Sequence, residues 1–350
     1  MPPTRKTEDA ATVPSDSRWQ PRLHDVAKLA GVSHQTVSRV VNGHPYVKAE
    51  TRLKVVEAME ALTYVPNASA RALAKGRTQT IGVICYETTL YGPAAALIGI
   101  EMRARELSHS VNIVSISSLD AAMIKEAFLR LYRQSVAGVA LMCPQSAIDF
   151  DPKLLDVDLP LVGVWGPRLG TVPIVSIDEI GGAGKATRHL LDRGYDTVHF
   201  VGGPAGRVGS NERMKGWSEA LKSAGRRVPE PLHGDWSARS GYEAGRILAA
   251  DRDVSAVFVA SDQMALGLLL ALGEGGRRVP EDIAVVGFDD VPEAAFFSPP
   301  LTTIRQDFFG IGRHVVDALL APDVQAGTKA VPASSVLPVD LIVRRSSGPA

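Results

Sequence analysis

The chain has 350 residues with 38 basic and 38 acidic side chains, a formal net charge of +0, 45% hydrophobic residues and two cysteines. Such a length and apolar content predict two or three compact units with sizeable cores. Cys85 and Cys143 stand far apart with no metal-ligand spacing, so neither a disulfide framework nor a zinc site is expected, and both read as core thiols. No stretch approaches the ~18 to 20 apolar residues of a membrane span, which leaves a membrane out of the expected partners.

The balanced charge is unevenly spread. Up to position 80 there are twelve Lys/Arg against seven Asp/Glu, so a basic front end precedes a mildly acidic body. A small nucleic-acid reader joined to a larger module has this distribution. Residues 1–20 are polar, contain Pro2, Pro3 and Pro14, and lack the apolar run of a signal peptide. A disordered tail and a cytoplasmic, nucleoid-associated location are the expectations there.

Leu23 to Asn42 reads as two short amphipathic helices joined by Ala30-Gly31-Val32. In the second, Ser33 stands at an N-cap position, and Val37, Val40 and Val41 at i, i+3, i+4 spacing turn inward. His34, Gln35, Ser38 and Arg39 then face out, and amide and guanidinium groups at the start of a helix can read purine edges in the major groove. An ordinary helical hairpin with a solvated face is the bland alternative. A third helix is expected from Lys48 to Leu62, with Leu53, Val56, Met59 and Leu62 closing a three-helix core, and the headpiece is placed at 21–66. The segment 67–79 follows; its run NASARALAK is helix-prone yet apolar only at Ala and Leu73, as suits a hinge that folds when docked on a partner.

From Thr80 the pattern becomes alternating strands and helices. Strand candidates are 81–85, 111–116, 138–143, 161–165, 174–178, 198–202, 256–260 and 284–288, all apolar runs between turns. Runs of this kind argue for parallel sheets covered on both faces. A break near Asp178 to Gly184 divides the series, so two α/β lobes with a cleft between them are expected, with ligand at the carboxyl ends of the strands. The glycine-rich run Gly181 to Thr187 is a poor phosphate loop, because the first glycine is misplaced and Ala186 stands where Ser or Thr should follow Lys185. No GxSxG, HExxH or Cys/His constellation appears, so no enzyme and no cofactor are expected.

The motifs DVAKLAGVSHQTVSRVVN, YVPNASARALAKGRTQTIGVI, GDWSARSGY, ASDQMALG, VGFDD and PPLTTIRQDF occur in an order and spacing by which the chain is identified as resembling the LacI/GalR family of transcriptional repressors. The resemblance implies a small all-α helix-turn-helix headpiece, a hinge, and an α/β core of two parallel-sheet lobes like the type I periplasmic binding proteins, at 80–345. In that scheme the N-lobe holds about 80–178 and 309–335, the C-lobe about 179–308 and 336–345, and 346–350 is a tail too short and polar for a heptad seam, so a homodimer is expected. His34, Gln35 and Arg39 fall at base-reading positions, with Ser38 on the same face, Thr36 and Asn42 among phosphate contacts, and Leu73 at the position of a minor-groove wedge. The implied DNA partner is a double-stranded, pseudo-palindromic operator.

For the cleft, the resemblance assigns Arg213 as a donor and Asp289 as an acceptor for sugar hydroxyls, with Trp236 and Phe308 as aromatic walls. A lactose-responsive member has Asn and Asp where this chain has Met142 and Trp165, and Asn where it has Ser261. Tyr86 and Tyr91 occupy further N-lobe positions facing the cleft. The implied effector is therefore a sugar other than a lactose-type inducer: one with fewer hydroxyls in that region, or a longer glycoside whose second ring stacks on Trp165. Two other readings stay open: a small ligand acting as co-repressor, and a sugar-binding receptor without DNA function.

Overall fold

The computed structural model describes residues 21–41, 44–64, 78–86, 88–144, 159–166, 172–325 and 334–348. The chain divides into two compact units, Met1–Ala74 and Lys75–Ala350.

The first unit contains α1 (Leu23–Ala30), α2 (His34–Val41) and α3 (Ala49–Ala61) around a core of Val26, Ala27, Val37, Val40, Val55 and Ala58. Gly31 ends α1 in the left-handed region at φ 64°, a conformation glycine adopts without a Cβ clash, and the turn into α2 follows directly. Ser33 Oγ then accepts from Thr36 N at 3.1 Å, satisfying one of the free N–H groups at the start of α2. The core of α3 differs from the expectation. Leu53 and Val56 are exposed, whereas Val55 and Ala58 are buried and Met59 and Leu62 are partly buried against them. At about 100° per residue, positions spaced by three drift round the helix, so Leu53 lies roughly opposite Leu62. The set 55, 58, 59, 62 keeps to one face.

The second unit holds two six-stranded sheets. The N-lobe sheet has the order β11-β5-β4-β3-β1-β2, parallel throughout, from β1 (Thr80–Cys85), β2 (Ser110–Ser115), β3 (Gly138–Met142), β4 (Leu161–Val164), β5 (Ile174–Ile177) and β11 (Ser335–Leu337). Its helices are α4 (Tyr91–Glu106), α5 (Ala121–Arg133), α10 (Phe308–Leu319) and the short α11 (Pro322–Gln325). The C-lobe sheet has the order β12-β10-β9-β8-β6-β7, from β6 (His199–Gly202), β7 (Leu232–His233), β8 (Ala256–Val259), β9 (Ala284–Asp289), β10 (Thr302–Arg305) and β12 (Asp340–Ile342). Only β12 runs antiparallel, against β10. Here the helices are α6 (Glu179–Asp192), α7 (Val208–Ser223), α8 (Ala238–Ala250) and α9 (Asp262–Glu274).

Three crossovers join the lobes: after β5, between β10 and α10, and between β11 and β12. The third lies at Pro338-Val339, because β11 keeps the chain in the N-lobe to Leu337, two residues beyond the expected limit at 335. The presumed tail is corrected more strongly. Ser346 and Ser347 are buried, Ser346 Oγ accepts from Thr302 N at 2.8 Å and donates to Val285 O at 2.7 Å, and Ser347 Oγ lies 2.9 Å from His189 Nε2. The Ser346 hydroxyl thus serves backbone groups of β9 and β10 and that of Ser347 meets C-lobe side chains, so residues 346–348 belong to the C-lobe.

The glycine run forms the first turns of α6, where Asp178 Oδ1 caps Gly181 N at 2.8 Å. A carboxylate thus occupies the position a phosphate would take. A Cβ on Gly216 would meet Ile180 O at 2.2 Å, so α6 and α7 approach backbone to backbone only because that position is glycine. Cys85 and Cys143 are buried free thiols, and burial pushes Cys143 up to about 12. No helix among the described residues is long and apolar enough to cross a membrane.

Candidate nucleic-acid interface and ligand cleft

On α2, Val37 and Val40 face the core, which leaves His34, Gln35 and Arg39 exposed, with Ser38 half-buried among them and Thr36 half-buried beside the same face. Positions 34, 35, 38 and 39 span an arc of about 140° at 100° per residue, a width that one groove can receive. Thr36 is partly committed, since its Oγ1 lies 2.9 Å from Ser33 Oγ in the cap. Asn42 and Leu73 lie outside the described residues.

The cleft of the second unit forms where strands end and helices begin. Trp165 follows β4, Asp289 ends β9 and Gln306 follows β10, while Tyr91, Glu179 and Phe308 start α4, α6 and α10. Parallel α/β sheets offer their ligand sites at these carboxyl ends.

At the base, Arg213 of α7 is held by Glu179 through a two-pronged pair, Nε to Oε2 at 2.7 Å and Nη2 to Oε1 at 3.2 Å. Its Nη1 donates to the Ala260 carbonyl and lies 3.5 Å from Asp289 Oδ1. The guanidinium sits 3.9 Å over the Phe288 ring and 5.5 Å from that of Trp236. Three of its five N–H donors are thereby used, and the pair is planar and bidentate, an arrangement lysine could not copy. One cation thus faces two buried carboxylates. Burial raises Asp289 from 3.8 to about 7, with Arg213 opposing and Glu179 adding to the rise. Gln306 Nε2 donates to Asp289 Oδ1 at 2.5 Å, and its buried Oε1 has no donor among the described residues, so the base of the cleft keeps an acceptor in reserve.

Asp262, expected only as part of the motif ASDQMALG, is buried, and both burial and Asp289 raise it well above the usual carboxylate range. Its oxygens accept from Val291 N at 2.9 Å and Thr303 Oγ1 at 2.7 Å, which fixes the loop that presents Asp289.

The opposite wall is aromatic. Phe308 meets Tyr91 edge-on at 5.6 Å and Trp165 at 5.9 Å between ring centroids. Trp165, Trp236 and Asp289 have φ of 53°, 73° and 117°, left-handed values that cost bulky residues about 1–3 kcal/mol each and collect where a site demands them.

The structure brings Tyr91, Trp165, Arg213, Trp236, Ser261, Asp289 and Phe308 together around one cleft. Ser261 contributes less than expected, because its Oγ caps α9 by accepting from Met264 N at 3.2 Å. Met142 is a correction: it is 1% exposed and points into the N-lobe core with Ala140, its alternate neighbour on β3. Tyr86 lies outside this inner wall, its ring 5.2 Å beneath the Arg207 guanidinium. Sequence reading missed Glu179, Gln306, Gln263 and Arg207, all of which line the cleft. The available signal for Glu179 was an acid two residues after a strand and at the first turn of a helix.

Residues 22–67 match the model for bacterial regulatory proteins of the lacI family, and residues 187–347 match a periplasmic binding protein-like domain. The chain is 36% identical over 334 residues to the lactose operon repressor of Escherichia coli, covering 93% of this chain and 90% of that protein. The chain belongs to the LacI family. Among solved structures, this LacI-family regulator resembles the Lac repressor dimer bound to operator and the anti-inducer ONPF, with a TM-score of 0.83, 33% identity and coverage of 95% and 100%. It also resembles the complex of the transcriptional regulator CelR with cellobiose, with a TM-score of 0.69, 34% identity and coverage of 93% and 100%. LacI-family regulators are not enzymes, and this one carries the family's DNA-binding and ligand-binding domains.

Proposed function

We propose that this regulator is a homodimeric repressor that binds a palindromic operator on the nucleoid and is released from it by a sugar or glycoside. The observation that carries the reading is the cleft itself: a fixed cluster of Arg213, Glu179 and Asp289 beneath aromatic walls supplied by both lobes. Rings cover the apolar face of a pyranose, while charged and amide groups take its hydroxyls. A lactose repressor and a cellobiose-bound regulator among its relatives support the ligand class.

The proposed route to DNA runs through α4. Its first residue, Tyr91, lines the cleft, while Ile98 and Met102 further along are exposed apolar residues at i, i+4 spacing. In the C-lobe Leu266 and Leu270 on α9 form a similar exposed pair. A two-fold partner covering both pairs gives the ligand a lever on dimer geometry, and Leu73 in the hinge passes that geometry to the operator. Base reading is assigned to His34, Gln35 and Arg39, with Thr36, Ser38 and Asn42 beside them. Arg39→Ala should cost about 1–3 kcal/mol on the preferred operator and relax one base position; equal weakening on random DNA would leave Arg39 a phosphate contact only.

The deciding measurement is the dissociation constant of a bound sugar with and without saturating operator. Coupling is reciprocal and typically worth about 1–3 kcal/mol, so sugar should bind about 5 to 150 times more weakly to the operator complex. Equal values refute induction, and tighter binding establishes a co-repressor.

A further inference from the structure

Trp165 divides the space between the lobes into two chambers. The inner one, about 110 Å³, contains Arg213, Asp289, Trp236 and Phe308. The outer one, about 480 Å³, lies toward the β5–β11 edge of the N-lobe sheet, between Ile174, Ser176 and Val336 on one side and Asn211 and Glu212 on the other. Trp165, Glu179 and Gly209 belong to both walls, so the two chambers adjoin there.

Two features suit the outer chamber to a carbohydrate. Trp165 is positioned through its backbone and its ring: φ is 53°, a strained value, the main-chain N–H donates to Val175 O at 3.2 Å, and the ring meets Phe308 edge-on at 5.9 Å. It therefore presents a preset aromatic surface flanked by Ile174 and Val336. Opposite, Asn211 and Glu212 precede Arg213 on α7 by two residues and one, about 200° and 100° round the helix, so one helix aims a separate set of polar groups at each chamber. Asn211 is exposed and Glu212 half-buried; planar amide and carboxylate groups of this kind pair with vicinal hydroxyls while an aromatic surface takes the C–H face.

We infer that the outer chamber is a second sugar subsite, so that the effector is a disaccharide or longer glycoside with one ring at Arg213 and Asp289 and the next on the outer side of Trp165, its hydroxyls received by Asn211 and Glu212. The inference rests on the sugar reading of the inner chamber. It makes Asn211 and Glu212 determinants of chain length, separate from the residues that hold the first ring.

The test is calorimetric titration of the full-length protein with matched pairs: glucose and cellobiose, galactose and lactose, xylose and xylobiose. In at least one pair the disaccharide should bind tenfold or more tightly than its monosaccharide. The variant carrying Asn211→Ala and Glu212→Gln should lose that advantage, keep the monosaccharide constant within twofold and keep its operator affinity. Equal binding within every pair that binds, or an advantage that survives the double substitution, overturns the subsite. If no sugar binds while operator affinity is normal, the sugar reading itself fails and the subsite falls with it.

Discussion

The two walls of the cleft are built on opposite principles. The C-lobe wall is charged, buried and locked: Arg213 is 7% exposed, Asp289 9%, and each is held by neighbours of the same lobe or crossover. The N-lobe wall is made of rings that touch one another edge-on and make few hydrogen bonds. A locked polar wall discriminates, because any ligand group that fails to match leaves a buried partner unsatisfied, whereas an aromatic wall supplies contact area that tolerates variation. Identity of the ligand should therefore be read on the C-lobe side, and the change in lobe geometry expressed on the other.

The largest effect is expected from Arg213→Ala. It leaves Glu179 buried without its two-pronged partner, a loss of about 3–5 kcal/mol that denaturant unfolding of the ligand-free protein would measure. Removing Glu179 as well should restore part of the stability. A single-variant loss below about 1 kcal/mol would mean that the pair is solvated and the C-lobe wall is not locked.

Asp289→Asn comes next, with opposite effects on binding and stability. The folded protein keeps the Asp289 proton to about pH 7, while the unfolded chain releases it near 3.8, so the folded state holds more protons between those values and stability falls as pH rises through them. Asparagine removes that slope. Above pH 7 the variant should be more stable than the parent by on the order of 1–3 kcal/mol, yet lose about tenfold or more in sugar affinity while still binding operator. A variant that is less stable at pH 8 and equally stable at pH 5 would reverse the sign and show that Asp289 is a structural anion.

Tyr91→Phe should do least. It keeps the ring against Phe308 and removes one hydroxyl, so the sugar's dissociation constant should change less than threefold, below about 0.7 kcal/mol. A tenfold loss would make Tyr91 a hydrogen-bonding reader and erase the contrast between the walls.

The parts of the molecule that could be read from sequence were those written in local pattern. Ser33 and Gly31 announced the helix-turn-helix because caps and left-handed turns depend on neighbours in the chain. The long apolar strands were visible for the same reason, whereas β7, β11 and β12 have only two or three residues and β10 begins with two threonines, too short or too polar to show a period. Arg213 and Asp289 were found through motif resemblance. Glu179 was hidden because its role depends on a partner 34 residues away, and because the glycines after it drew attention to a phosphate loop instead. Met142 failed for a converse reason: an aligned position can fall on the core side of a strand end, and only the alternation along β3 shows it.

The burial of Ser346 and Ser347 has a consequence for how the molecule is made. These residues pin Thr302 and Val285 at the far end of the chain, and β11 and β12 supply an edge to each sheet from the last sixteen residues. During synthesis the headpiece, whose helices are contiguous, can fold as soon as it emerges. Neither lobe can be completed until residues 335–348 have emerged, because each sheet takes an edge strand from that segment. Cleft and switch therefore come into being together, on a protein whose DNA-reading module can fold well before either lobe is closed.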